Sequence, residues 1–193
     1  MNKLLLGSVA ALFLWCNQAL AQDWQQEPVA VFGLKLGEPL TASDIPVCPP
    51  YKPGYGVPDA LCIEKLPGPY AEKMATLNSL PINEVYSASV HLQNSQVSSL
   101  HLDFKHEHYA KLRAILIERY GPPTKSSVAE IKTRAGLAVP AETLEWIGRK
   151  NSLRLFERFQ RIDKSLAAFT NKDLSQQAGL HAQDKVSESA SKF

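Results

Sequence analysis

The stretch that decides the fold is residues 82–120, which read INEVYSASVHLQNSQVSSLHLDFKHEHYAKLRAILIERY. Its first part alternates apolar and polar residues on both sides of a short polar break at 94–96. This alternation predicts an antiparallel hairpin with one buried and one solvated face. Because the apolar residues share the buried face, Val90 should lie near Leu100 or Leu102, and His91 should meet His101 on the solvated face.

The second part of the same stretch, residues 107–120, predicts an amphipathic helix. Tyr109, Leu112, Leu116 and Tyr120 are spaced by three and four residues, so they form one apolar stripe. The Gly-Pro-Pro sequence that follows should end the helix, since glycine accepts a left-handed cap and proline cannot continue the hydrogen-bond ladder.

The rest of the chain adds strands to this hairpin and helix. Residues 29–40, in which glycines interrupt apolar residues, predict a strand entering the domain, and residues 71–77 predict a short helical turn. A polar link is expected over 125–133, and three short strands should follow it at 143–147, 153–159 and 166–170. The predicted fold is α+β, an antiparallel sheet of order ββ-α-βββ with one main helix packed on one face and a disulfide-stapled N-terminal loop.

The N-terminus has the features of a cleavable secretory signal. Lys3 precedes an apolar run, and Ala19-x-Ala21 supplies the small residues that signal peptidase requires. The run is shorter than the roughly 20 residues needed to span a bilayer. We therefore predict a signal peptide over 1–21, a periplasmic or secreted protein, and no membrane insertion after cleavage.

The predicted mature chain is nearly neutral and large enough for one core. It keeps 193 − 21 = 172 residues, and the loss of Lys3 lowers the formal charge from +2 to 2 − 1 = +1. This balance argues against a dedicated nucleic-acid binder. We expect a single domain over 22–170 and a polar, disordered tail over 171–193.

Two cysteines remain after the signal, and they flank a loop rich in proline and glycine. In an oxidising compartment Cys48 and Cys62 predict a disulfide, with free thiols or two ligands of a metal site as the alternatives. Tyr51 and Tyr55 lie within the loop, and rigidly held tyrosines make good contacts with a partner. We predict that they bind a partner; the alternative is that the disulfide only anchors the loop.

One motif extends from the predicted helix into the strand beyond it. Residues 109–124 end in Arg-Tyr-Gly-Pro-Pro-Thr, and Glu145-Trp146 and an Arg-Lys-Asn turn follow after a gap. The arrangement resembles units of small exported bacterial proteins of the SmpA/OmlA and β-lactamase-inhibitor-protein type. It covers about a third of the mature chain, and it departs from those families in its leading hairpin and its lack of a lipidation cysteine. The resemblance implies a non-catalytic, protein-binding module.

Histidines provide the main alternative site. His91, His101 and His106 could present three imidazoles to Zn²⁺ or Cu²⁺, although ordinary polar residues on a solvated face explain them as well. Several basic residues could form a stripe that binds an anionic ligand or nucleic acid; the alternative is an ordinary charged outer face of the sheet. These residues are Arg149, Lys150, Arg154, Arg158 and Arg161, with Phe156 among them. No Gly-x-Ser-x-Gly elbow is present, and we predict no catalytic residue.

Together these features predict an exported, non-catalytic module of inhibitor, immunity or envelope-accessory type. Its partner should be a protein of the cell envelope, and no cofactor or nucleic acid is expected. The first alternative is a periplasmic metal- or small-ligand-binding protein that uses the histidine-bearing face, and the second is a hydrolase.

Overall fold

The computed structural model describes residues 24–41, 45–50, 59–66, 68, 72–133 and 136–180, and the predicted signal, Tyr51 and Tyr55 lie outside them. Within the described residues the chain forms eight strands, a 3₁₀ turn and two helices. The strands are β1 (Cys62–Lys65), β2 (Met74–Asn78), β3 (Val85–Gln93), β4 (Gln96–Lys105), β5 (Lys125–Lys132), β6 (Ala138–Ile147), β7 (Asn151–Phe156) and β8 (Lys164–Asn171). The helical segments are the 3₁₀ turn His106–His108, the helix α1 (Tyr109–Tyr120) and residues 172–180.

The strands form one antiparallel sheet in the order β1-β2-β3-β4-β8-β7-β6-β5. Each half of the chain is a four-stranded meander, and the two meanders join where β4 pairs with β8. At the centre of this pair Leu102 lies opposite Ala167, with Leu100 opposite Phe169 on one side. Two local meanders therefore make one sheet, and α1 follows the last strand of the first meander.

Helix α1 covers one face of the sheet with the stripe that the sequence predicts. Leu112 and Leu116 are buried between the tyrosines at the two ends of the stripe, and all four join the main hydrophobic cluster. Strand residues such as Phe104 and Phe169 form the opposing side of that cluster. The stripe spacing thus positions the helix, because burial of these side chains is the main favourable term.

The C-terminus of α1 is held by two tryptophans. Gly121 ends the helix with a φ of 76°. The indole N–H of Trp24 donates to the carbonyl of Tyr120 at 3.0 Å, and that of Trp146 donates to the carbonyl of Gly121 at 2.8 Å. These bonds satisfy carbonyl groups that a helix end leaves without intrahelical partners.

The predicted hairpin is present as β3 and β4, with Val90 opposite Leu100. The pairing departs from the expected alternation at two bulges. The one between Val85 and Ser87 leaves Tyr86 exposed, whereas the alternation placed it on the buried face. The one between His91 and Leu92 pairs Leu92 with Val97, which joins the core. At each bulge the extra residue shifts the side-chain alternation by one position.

The predicted ββ-α-βββ order is wrong in its number of strands, since four strands precede α1 and four follow it. The helical turn expected over 71–77 is the strand β2, because pairing with β3 outweighs the weak local preference of a short segment. The polar link expected over 125–133 is the edge strand β5, which is almost wholly exposed and so lacks an apolar alternation. The three strands expected after it correspond to β6, β7 and β8.

The segment expected as a strand over 29–40 is irregular. Phe32 and Gly33 both have positive φ and form a turn closed by a bridge between Val31 and Leu34. Glu27 fixes the segment to the β6–β7 turn, where its carboxylate accepts the backbone N–H groups of Arg149 and Lys150 at 2.8 and 2.9 Å. The apolar residues of this segment therefore enter the core from a folded-back loop.

The chain beyond β8 begins with regular structure. Residues 172–180 are helical, where the sequence predicts the polar tail, and Leu174 within them is buried. The helices of the described ranges are too short or too polar to cross a membrane.

Candidate functional site

The candidate site is the sheet face opposite α1, which we call the open face. Strand register arranges its side chains in three rows, of which two run across six strands and one across five. The first row is Met74, His91, Ser99, Thr170, Ser152 and Ile147. The second is Thr76, Ser89, His101, Ala168, Arg154 and Glu145. The third is Ser87, Asp103, Leu166, Phe156 and Thr143. None of these residues belongs to the main hydrophobic cluster, which lies on the α1 side.

The open face has buried apolar side chains at its centre and ion-paired side chains around them. Leu166 and Ala168 are buried at its centre, between longer side chains of the neighbouring strands. Arg154 Nε lies 3.0 Å from Glu145 Oε2, and Lys164 Nζ lies 2.9 Å from Asp103 Oδ1. These ion pairs hold the charged side chains along the face, so the surface is largely preformed.

The histidines His91 and His101 meet on the open face, as the register of the hairpin predicts. Their ring centroids are 4.4 Å apart, with an angle of 50° between the ring planes. Each Nε2 lies 3.4 Å from the hydroxyl of the serine two residues earlier, Ser89 or Ser99. Two diagonal Ser-x-His units thus form one compact polar patch.

Both histidines of this patch favour the neutral form. Burial lowers the pKa of His91, with the charge of Asp103 opposing the shift. Burial lowers the pKa of His101 to about 4, and the neighbouring His91 adds to the shift. At neutral pH the pair therefore offers ring nitrogens that accept or donate hydrogen bonds without carrying charge.

The third predicted ligand, His106, lies elsewhere. Its Nε2 is 3.0 Å from Glu157 Oε1, and its ring stacks parallel to that of Tyr109 at 6.4 Å. The structure therefore brings together two of the three predicted histidines and separates the third. Across the described ranges, no group of three or more His, Cys, Asp or Glu side chains is arranged to hold a metal ion.

The predicted disulfide between Cys48 and Cys62 is present. It holds residues 46–48 beside β1, where Cys48 N–H donates to the carbonyl of Ile63 and Ile63 N–H donates to that of Pro46, both at 2.9 Å. The two ends of the loop that contains Tyr51 and Tyr55 are thus fixed at the β1 edge of the sheet.

A second polar cluster lies on the α1 side and is called the clamp. Glu142 Oε2 accepts the Tyr109 hydroxyl at 2.6 Å and Arg113 Nε at 3.0 Å. Glu157, besides its contact with His106, accepts the backbone N–H of Glu142 at 2.8 Å. The clamp joins the start of α1 to β6 through partners 29 and 33 residues apart in sequence, separations for which single-sequence patterns give no signal.

The carboxylates of the clamp stay ionised. Burial opposes ionisation of Glu142 most strongly, but hydrogen bonds from Arg113 and Tyr109 hold its pKa below the usual value. Glu157 follows the same pattern, with burial opposed by hydrogen bonds from His106 and the backbone of Glu142. Burial, and then the bond to Glu142, raises the pKa of Tyr109. With their oxygens already bonded, these carboxylates act as structural anchors of the helix.

No protein-family model matches the chain, and neither the curated proteins nor the solved structures yielded a match.

Proposed function

We propose that this protein is an exported, non-catalytic module that binds a protein partner through the open face of its sheet. The observation that carries the proposal is the juxtaposition of Met74, Arg154 and Phe156 with the neutral histidine pair on one continuous surface. Methionine, arginine and aromatic side chains are the types enriched in protein interfaces. Six strands at roughly 4.8 Å spacing give a surface about 24 Å wide, suited to a folded partner rather than to a small molecule.

Contacts that the side chains of the open face already make with one another support this proposal. Arg154 is held by Glu145, which also lies 3.7 Å from Lys125, so the guanidinium group is oriented before a partner arrives. Phe156 is half-buried, with its ring centroid 5.5 Å from that of Phe159. Side chains that are already ordered lose less conformational entropy when they bind.

The stapled loop extends the proposed surface. Its ends are fixed at β1, the neighbour of β2, and β2 carries Met74 on the open face. We propose that Tyr51 and Tyr55 bind the same envelope protein from this edge. The open face would then supply the broad contact and the loop a local one.

Affinity capture from cell-envelope extract, followed by binding measurements with the purified partner, tests the proposal. Arg154→Ala and Phe156→Ala should each raise the dissociation constant by roughly 5- to 150-fold, the range for interface anchors of about 1–3 kcal/mol. Arg119→Ala is the matched control, because this exposed arginine lies on α1, on the other side of the sheet. A partner whose affinity changes with Arg119→Ala but not with the open-face variants would contradict the proposal.

A second candidate function is favoured by the close contact of the two imidazoles. We propose, as the alternative, that His91 and His101 bind a small ligand or a metal ion at the open face. Titration of the purified protein with Zn²⁺ and Cu²⁺, followed by calorimetry, tests this reading against a His101→Gln variant. Stoichiometric binding by the parent protein and its loss in the variant would favour this function over the first.

A further inference from the structure

The two edges of the sheet differ in whether their backbone groups are covered. At β1, the segment 46–48 pairs with Ile63 through two backbone hydrogen bonds, and the disulfide holds it there. At the other edge, β5 is exposed along its length, and Val128 near its middle is 67% exposed. An uncovered strand of this length is a ready template for pairing with another strand.

The direction of the backbone groups of β5 follows from the strand register. Thr133 continues the pairing of β5 with β6, and its N–H donates to the carbonyl of Leu137 at 2.9 Å. Glu142 lies opposite Val128, yet its backbone N–H and C=O bond to Glu157, away from β5. Alternation along the strand therefore directs the N–H and C=O groups of the even-numbered residues outward. These residues are Ser126, Val128, Glu130 and Lys132. Their backbone N–H and C=O groups have no partner among the described residues.

The hairpin formed by β5 and β6 also projects beyond the body of the sheet. Strand β6 pairs with β7 only over 143–147, whereas it pairs with β5 over its first eight residues, 138–145. A two-stranded ribbon is only marginally stable by itself. On the β6 side of this ribbon, Pro140 has no N–H to donate and its carbonyl accepts Arg158 Nε at 3.3 Å, while Glu142 bonds to Glu157. The β5 side is the more open of the two in the described structure.

We propose that β5 pairs antiparallel with β5 of a second copy of this chain, so that the two sheets continue across a twofold axis at Val128. The even-numbered residues direct their backbone groups toward the partner in both copies, so an even-numbered residue always pairs with an even-numbered one. The twofold axis of such a symmetric antiparallel pair therefore passes through one residue, which lies opposite its own copy. With Val128 on the axis, Ser126 pairs with Glu130 of the other copy, and the valine side chains contact each other.

This register also keeps like charges of the edge apart. Lys125 lies opposite Ile131 of the second copy, and Glu130 lies opposite Ser126, so no like charges face each other. Moving the axis to Ala129 would bring the two Glu130 side chains into diagonal contact, and this contact is unfavourable because both carboxylates are negatively charged. Because the same edge of both copies is used up in the contact, this pairing closes at a dimer and does not extend into a filament.

Light scattering on size-exclusion chromatography over a dilution series tests the dimer with the purified protein. We expect a mass of two chains that dissociates on dilution. Val128→Lys places two ammonium groups at the axis and should raise the dimer dissociation constant at least about tenfold. The control is Val29→Lys, the same change at a valine outside β5 that is 82% exposed; it should leave the constant unchanged. A protein that stays monomeric, or a dimer indifferent to Val128→Lys, would overturn the proposal.

Cysteine cross-linking tests the register directly. Directly opposed, hydrogen-bonded residues have Cα atoms about 5.5 Å apart, which a disulfide can bridge. Val128→Cys should therefore give a disulfide-linked dimer on mild oxidation, with the linked peptide identified by mass spectrometry. Glu130→Cys alone should not cross-link, but it should do so when mixed with Ser126→Cys. Linkage through Ala129→Cys, with none at position 128, would overturn the assigned axis.

Discussion

The two sides of the sheet each hold a half-buried polar cluster. One cluster keeps its charges by hydrogen bonding, and the other remains uncharged. In the clamp, Glu142 and Glu157 keep their charges because Arg113, Tyr109 and the backbone donate to them. On the open face, His91 and His101 each lie beside a serine hydroxyl, and burial outweighs the charge of Asp103, so both favour the neutral form. The α1 side thus uses its polar groups to hold the fold, whereas the open side leaves groups available for contact.

The largest expected effect comes from the apolar part of the α1 side. Leu112→Ala removes a side chain that is 1% exposed in the main cluster, so the free energy of unfolding should fall by about 2–5 kcal/mol through lost burial and a cavity. Urea denaturation measures the change, and Glu118→Ala on the exposed side of the same helix is the control. A loss no larger than that of the control would mean that α1 does not anchor the fold.

The next effect concerns the clamp. Glu142→Gln leaves Arg113 and Tyr109 imperfectly paired, and the free energy of unfolding should fall by about 1–3 kcal/mol. A double-mutant cycle with Tyr109→Phe isolates the contact between the hydroxyl and the carboxylate. Glu130→Gln, an exposed change on β5, serves as the control. Strict additivity of the two clamp variants would show that their 2.6 Å contact adds nothing to stability.

The contrast between the two sides also explains what the sequence could predict. The stripe of α1 and the alternation of β3 and β4 are burial patterns with a fixed period, so the helix, the hairpin and the meeting of His91 with His101 were predictable. Strand β5 was not, because a strand exposed on both faces needs no apolar alternation. The clamp was not predictable either, because its partners come together only after β4 and β8 have paired.

The pH dependence of stability should separate the clusters. The pKa of His101 falls from 6.5 to about 4 in the folded protein. The unfolded chain then takes up the proton first, so the free energy of unfolding decreases as pH falls from 6.5 and reaches its full loss below about 4. The clamp carboxylates also have lowered pKa values, so their stabilisation is present above 4.5 and is lost below it.

Melting temperatures across this range give the measurement. His101→Gln should reduce the loss between pH 6.5 and 4.5 and leave the steeper loss below 4.5 in place. The control is His108→Gln, which changes a more exposed histidine at the start of α1. An unchanged profile in His101→Gln would mean that folding does not lower the pKa of His101.

The smallest effect is expected for an ion pair of the open face, and it gives the closest comparison of the two sides. Arg154 Nε and Arg113 Nε each lie 3.0 Å from a glutamate oxygen, Glu145 on the open face and Glu142 in the clamp. Distance alone would assign them the same stabilisation. Arg154 is 57% exposed against 41% for Arg113, however, and Glu145 keeps Lys125 as a second cation, so Arg154→Ala should change the free energy of unfolding by about 0.5 kcal/mol or less.

Arg113→Ala should cost at least about 1 kcal/mol more than Arg154→Ala, because it leaves the clamp carboxylate with only the Tyr109 hydroxyl and the carboxylate of Glu157 nearby. Urea denaturation of the two variants at neutral pH and moderate salt makes the comparison. If their free energies of unfolding fell by equal amounts, the surroundings of the two pairs would be equivalent. The distinction between a side that holds the fold and a side left open for a partner would then have no energetic basis.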